Sequence, residues 1–325
     1  MSSRRTHILQ GVATLVVGAA LLWWVDTEAL WAALQAAQWG WVGAAALLVP
    51  LNLGLDAGVW RVLLRPIVEA ADQRSMRRVL KAVLAGMAAG FFTPARLGEY
   101  AGRAFALDAD AWTLSLSVFV ERMADMAVAV CTGAVAVAVL MAMGDLPSDL
   151  PWRLAWGSGA SIGIAITGGL LRPAWADALG RRLLPTATAL HRRTRFLQQL
   201  TPADVRVVLG GALLRYVVYV LQFALLSEAF VGTGVSLGFL MLLGSALFFV
   251  KFLAPSFTLM DLGVREGTAA LLFQAVALPA AAGVHAALLL FALNLMVPAL
   301  LGAPIVWRLL SSRAMPAAQS DAASV

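Results

Sequence analysis

Arginine and glutamate are crowded into a stretch that has no soluble surroundings to account for them. Phe92-Thr93-Pro94-Ala95-Arg96-Leu97-Gly98-Glu99-Tyr100-Ala101-Gly102-Arg103 interrupts an apolar run with a helix-breaking proline, two glycines and three charges. The same skeleton recurs later as Phe257-Thr258-Leu259-Met260-Asp261-Leu262-Gly263-Val264-Arg265-Glu266-Gly267. Both copies read Phe-Thr-x-x-x-Leu-Gly, with Arg and Glu close by. A guanidinium keeps its charge when desolvated and grips phosphate with two parallel donors. Interrupted apolar segments at matching places in two halves of a chain mark the binding site of many membrane transporters. These two stretches are therefore read as the functional centre.

Further ionisable groups sit inside apolar runs: Asp56, Arg61, Glu121, Arg122, Asp125, Arg215 and Lys251. Each costs several kcal/mol at membrane depth, by rough insertion scales, unless it is paired or hydrated. Glu99 and Arg103 are four apart and share a helix face, as do Glu121 and Asp125. One reading makes all of these structural ion pairs that fix helix packing. The sharper reading is a polar cavity between the halves that receives a lipid headgroup while the acyl chains stay in lipid. On that reading Arg96, Arg103, Arg215 and Arg265 contact the phosphate. Glu99, Asp261 and Glu266 hold those arginines or receive a cationic headgroup. Thr93, Gly98, Glu121, Arg122, Asp125, Lys251 and Gly263 form the supporting polar core.

The elements that must carry these residues are membrane helices. The chain of 325 residues is 61% hydrophobic and only 13% charged, against about 25% charged in soluble domains. The net charge of +6 resides mainly in arginines between apolar runs, which is the pattern of cytoplasmic loops rather than of a nucleic-acid binder. Cys131 stands alone, so no disulfide framework or cysteine metal site is expected. His7, His191 and His285 lack metal-ligand spacing, and no nucleotide-type glycine loop is present. No cofactor and no catalytic residue is implied.

Taken in order, the expected spans are Ile8 to Val25 (an uncleaved first helix), Trp39 to Leu64, Thr113 to Met143, Leu154 to Leu171, Val205 to Phe230 and Ala280 to Trp307. Between them lie two broken segments, 82–107 and 237–278; in the first, the apolar run Ala82 to Phe92 is too short to span, and in the second Pro255 and Gly263 make the break. The fold class is all-α: a polytopic helical membrane protein with about six full spans and two re-entrant pairs, eight spans being the alternative. The proposed units are residues 1–150, residues 151–315 and a disordered tail 316–325. Loop arginines place both termini in the cytoplasm and give the two units inverted topology. The basic stretch from Arg172 to Arg206 is expected as an amphipathic surface helix on anionic headgroups, and Trp23, Trp24, Trp39, Trp41, Trp152 and Trp307 as interfacial anchors.

Thr93-Pro94-x-Arg96-Leu97-Gly98-Glu99-x-x-x-Arg103, then Glu121-Arg122-x-x-Asp125, then Leu262-Gly263-Val264-Arg265-Glu266 closely resemble the lysylphosphatidylglycerol synthase transmembrane region, over almost the whole chain. That resemblance implies a polytopic inner-membrane protein that translocates lipids, with paired broken helices at its centre. Two departures matter. The aminoacyltransferase domain of the two-part synthases is missing, so no aminoacylated lipid is expected to be made. Met260-Asp261 stands where many relatives carry a glycine pair, so no particular lipid is implied. The expected partners are membrane lipids. The alternatives are a non-catalytic subunit serving a separately encoded lipid-modifying enzyme, or a glycosyltransferase acting on a lipid carrier. The second would want a sizeable hydrophilic loop, which the sequence does not offer.

Overall fold

A computed structural model of the chain describes residues 35, 37–91, 93, 96–107, 109–146, 150–172, 182, 194–232, 234–253 and 260–322. The expected first span lies outside these residues. Among those described, the secondary structure is helical, with no strand. The first half contributes α1 (Trp39–Leu63), α2 (Met76–Phe91), α3 (Leu97–Phe105) and α4 (Ala111–Met143). The second contributes α5 (Leu150–Leu171), a 3-10 turn (Arg195–Gln199), α6 (Pro202–Val231), α7 (Leu237–Leu253) and α8 (Met260–Ala275). It ends in α9 (Ala280–Phe291), a π turn (Ala292–Met296) and α10 (Val297–Ala322). α10 runs through Ala322, and its alanines are strong helix formers.

Among the described residues, four helical stretches are long and apolar enough to cross a bilayer: α1, α4, α6 and the continuous run Ala280–Leu309. α5 and α7 contribute shorter apolar stretches. The protein is thus a polytopic helical membrane protein. Its surface agrees: Leu47, Val135, Ile164, Leu271 and Leu300 point outward, which in water would be a large apolar liability and in lipid is the natural face.

Local chemistry sets the helix ends. Asp110 caps α4 by accepting from the Thr113 N–H at 2.8 Å, and Gly144 ends it with φ +83°, a conformation glycine adopts without penalty. Thr201 and Asp204 form a reciprocal capping box at the start of α6, with Pro202 in the first turn.

The first broken segment folds back on itself. Gly86 faces Arg103 and Gly90 faces Glu99, so one residue number rises as the other falls and α2 runs antiparallel to α3. At about 1.5 Å per residue the 16 residues of α2 and the 9 of α3 fall short of the ~30 Å hydrocarbon layer. Backbone contact closes the hairpin. A Cβ on Gly102 would sit 2.8 Å from the Ala85 carbonyl oxygen and 2.9 Å from Gly86 Cα. Gly102→Ala is therefore expected to cost about 1–3 kcal/mol through overpacking. The thermal unfolding midpoint of the purified protein should fall, and an unchanged midpoint would show that the hairpin is looser than described.

Packing repeats between the halves. α2 packs on α3 and α7 on α8; α3 packs on α4 and α8 on α9. Each hairpin also reaches across: α2 lies against α10, and α7 against α4. α1 and α6 pair with one another, tied from end to end by Gln38 N–H to the Ala229 carbonyl, Gln222 Nε2 to the Ala45 carbonyl and Arg65 to Asp204. Two apolar clusters result. One gathers Trp60, Val83, Leu114 and Val208; the other gathers Val130, Phe223, Leu247 and Phe273. α1, α4 and α6 pass through both clusters, with Asp56, Asp125 and Arg215 between the two along these helices.

Candidate functional site

The hairpin delivers its charges by an unusual start to α3. Arg96 holds φ +54° and ψ +28°, a left-handed conformation that costs an ordinary side chain energy. The Arg96 side chain does not cap the helix. Thr93 does so instead: its Oγ1 accepts from the Gly98 N–H at 2.7 Å and donates toward the Ala89 and Gly90 carbonyls, each at 3.3 Å. Thr93 and Gly98, placed in the supporting core from sequence, are thus a cap and a packing position.

Arg103 is the centre of the charge network. Its side chain has no exposed surface. Nη1 donates to Glu121 Oε2 at 2.7 Å, and Nη2 donates to Glu99 Oε1 at 2.8 Å and Asp56 Oδ1 at 3.1 Å. The guanidinium lies 5.2 Å from the Trp60 ring centroid, and Trp60 is fixed in turn by donating Nε1–H to Ser117 Oγ at 2.9 Å. Only a planar fork can meet carboxylates from α1, α3 and α4 at once.

Three more arginines extend from this centre. Arg122 pairs with Glu99 and, at 3.0 Å, with Asp125. Arg215 on α6 reaches Asp56 at 3.3 Å, Glu121 at 3.3 Å and Asp125 at 3.2 Å. Arg96 meets Glu99 at 3.0 Å. Four arginines thus face four carboxylates, and each carboxylate is shared. Glu99 and Glu121 are buried with Arg103 and do not line a cavity. The sequence reading placed Glu99 and Arg103 at the headgroup; in the structure both are buried, and Glu99 pairs with Arg96 and Arg122, which do reach open space. The physical reason is the glycine contact, which seats α3 too deeply for either side chain to turn outward.

A partly open cavity of about 160 Å³ lies beside the network. Arg96, Arg122 and Arg215 line one part of it, and Lys251 and Arg265 join from the second hairpin. Arg265 donates to Glu266 through Nε at 3.1 Å and also through Nη2, and its guanidinium lies 5.1 Å from the Phe291 ring centroid. Tyr216, Tyr219, Phe248 and Phe252 supply apolar wall. Asn52 donates to Asn294 across the cavity at 3.0 Å, with Asn294 seated in the π turn. The Nε donors of Arg96 and Arg215 are buried without an acceptor among the described residues, as is that of Arg103.

Of the residues singled out from sequence, the structure gathers Arg96, Glu99, Arg103, Glu121, Arg122, Asp125 and Arg215 into one network, with Lys251 and Arg265 facing it around the cavity. Glu266 backs Arg265 rather than lining the space. Gly263 is exposed on α8, with nothing near its Cα hydrogens. The Asp261 side chain lies outside the described residues. Asp56 had been noted only as an ionisable group in a span, yet it binds three arginines. Asn52 and Asn294 were passed over. Asn52 lies one turn before Asp56 on α1, and that i, i+4 polar pair in an apolar run was the available signal.

The helices and this charged cavity define a multi-pass membrane protein with a polar centre among its packed helices. The family described as Lysylphosphatidylglycerol synthase TM region matches residues 11–302, and the chain belongs to it. No curated protein and no solved structure matches the chain.

Proposed function

We propose that this protein moves a phospholipid, or another phosphate-bearing lipid, across the cytoplasmic membrane by admitting its headgroup to the cavity between the halves. One observation carries the reading: five cationic side chains from both halves, Arg96, Arg122, Arg215, Lys251 and Arg265, line a single cavity at membrane depth. A phosphate crossing hydrocarbon needs such donors. The unmet Nε donors of Arg96 and Arg215 suit an incoming phosphate oxygen or water. The carboxylates behind them keep the empty site close to neutral, so that the arginines remain tolerable between visits. The aromatic wall of Tyr216, Tyr219, Phe248 and Phe252 suits the glycerol and proximal acyl carbons that accompany the phosphate. No step here makes or breaks a covalent bond.

The direct test is a proteoliposome assay with a fluorescent-headgroup phospholipid and an impermeant quencher. Protein-containing vesicles should expose the inner-leaflet pool faster than protein-free vesicles. Equal rates would overturn the proposal and favour the subunit reading.

Topology belongs to the same reading. With both termini cytoplasmic and the units inverted, single cysteines near Asp108 should react with an impermeant reagent only from the cytoplasmic side, once Cys131 is replaced. Those near Leu278 should react only from outside. Labelling of both positions from one side would contradict the inverted arrangement.

A further inference from the structure

A second cavity lies away from the charged one, and its lining is wholly apolar. It measures about 230 Å³ and is formed where α1, α4, α5, the 3-10 turn and α6 converge, by residues including Leu63, Met123, Leu170, Leu197, Val205 and Leu209. A cavity with no polar partner does not hold water well, and an empty one of this size forfeits packing. Four arginines lie within two residues of its lining in the chain. Arg65 follows Leu63 by two residues, Arg172 follows Leu170 by two, Arg195 precedes Leu197 by two and Arg206 adjoins Val205. They arise from four separate segments and all are exposed. Arg65 keeps a partner, Asp204, at 2.7 Å.

We infer that this cavity is a binding site for an anionic phospholipid of the surrounding leaflet, one acyl chain entering the pocket and the phosphate resting among these arginines. An uncharged apolar ligand would leave the arginines unexplained, and a soluble anion would leave the pocket unexplained. Basic clusters at the ends of membrane helices attract anionic headgroups, each arginine adding to the affinity. The site is separate from the charged cavity: none of Arg96, Arg122, Arg215, Lys251 or Arg265 lines it. The bound lipid would lock the ends of α1, α5 and α6 together instead of being carried across.

The test is photo-crosslinking of the full chain in nanodiscs, using phosphatidylglycerol with a diazirine near one chain terminus and phosphatidylcholine with the same chain. Phosphatidylglycerol should label peptides containing Phe119–Met123 and Leu197–Leu209 preferentially. The exposed pair Arg195→Gln and Arg206→Gln should weaken that labelling about thirtyfold in a competition titration, the loss expected for two surface arginines. Filling the pocket with Met123→Trp should abolish it. Equal labelling by the two lipids, or labelling indifferent to the arginine variants, would overturn the site. Absence of label from these peptides would overturn it too.

Discussion

Arg103→Met is expected to lower stability by about 3–5 kcal/mol, because it strands three buried carboxylates. Asp56, Glu99 and Glu121 all spend a short contact on that one guanidinium. Arg122 and Arg215 remain as neighbours, but each already serves other acids in the network. The methionine would fill most of the volume and keep the contact with Trp60, so packing loss is the smaller part. Arg103→Lys should rescue little, since a point charge cannot address acids on three helices at once. The readout is the unfolding midpoint and the monodisperse fraction of the purified protein. Both lipid movement and fold should be lost together, because Arg103 supports the cavity without lining it. A well-folded Arg103→Met that has lost transport alone would instead restore it to the headgroup.

Arg265→Gln should behave in the opposite way. Arg265 lines the cavity, and among the described residues its partners are its own neighbour Glu266 and the face of Phe291. Its removal unties no other helix by an ion pair among the described residues. A charge-assisted hydrogen bond to phosphate is worth enough that transport should drop about ten- to hundredfold. The unfolding midpoint should stay near that of the wild type. Arg265→Lys should recover part of the rate, because the charge remains while the planar fork is lost. A large fall in stability would make Arg265 a packing residue, and an unchanged rate would remove it from the path.

The contrast between these arginines shows where sequence reasoning stops. Hydropathy and helix punctuation placed the spans well: Trp39 to Leu64 was expected and α1 ends at Leu63. Pro94 with the glycines marked the hairpin, because proline and close backbone contact leave signatures in residue type alone. Depth did not show in the same way. Arg103 meets Asp56 across 47 positions and Arg215 meets Asp125 across 90, so which arginine is enclosed and which faces space depends on tertiary packing. The π turn at Ala292–Met296 was expected as ordinary helix, since none of its residues is a proline or glycine. Asn294 acquires its cavity position from that turn. The left-handed backbone of Arg96 was equally hidden, because no glycine marks it.

The central claim is that phosphate is the group the cavity is built to admit. The sharpest measurement compares two fluorescent lipids with identical acyl chains in the same proteoliposomes, a phosphatidylglycerol and a phosphate-free glycosyl diacylglycerol. The wild-type protein should accelerate transbilayer movement of the phosphate lipid only, and the double variant Arg215→Gln, Arg265→Gln should reduce that movement to the protein-free rate. Equal acceleration of both lipids, or full phosphate-lipid movement in the double variant, would contradict the account.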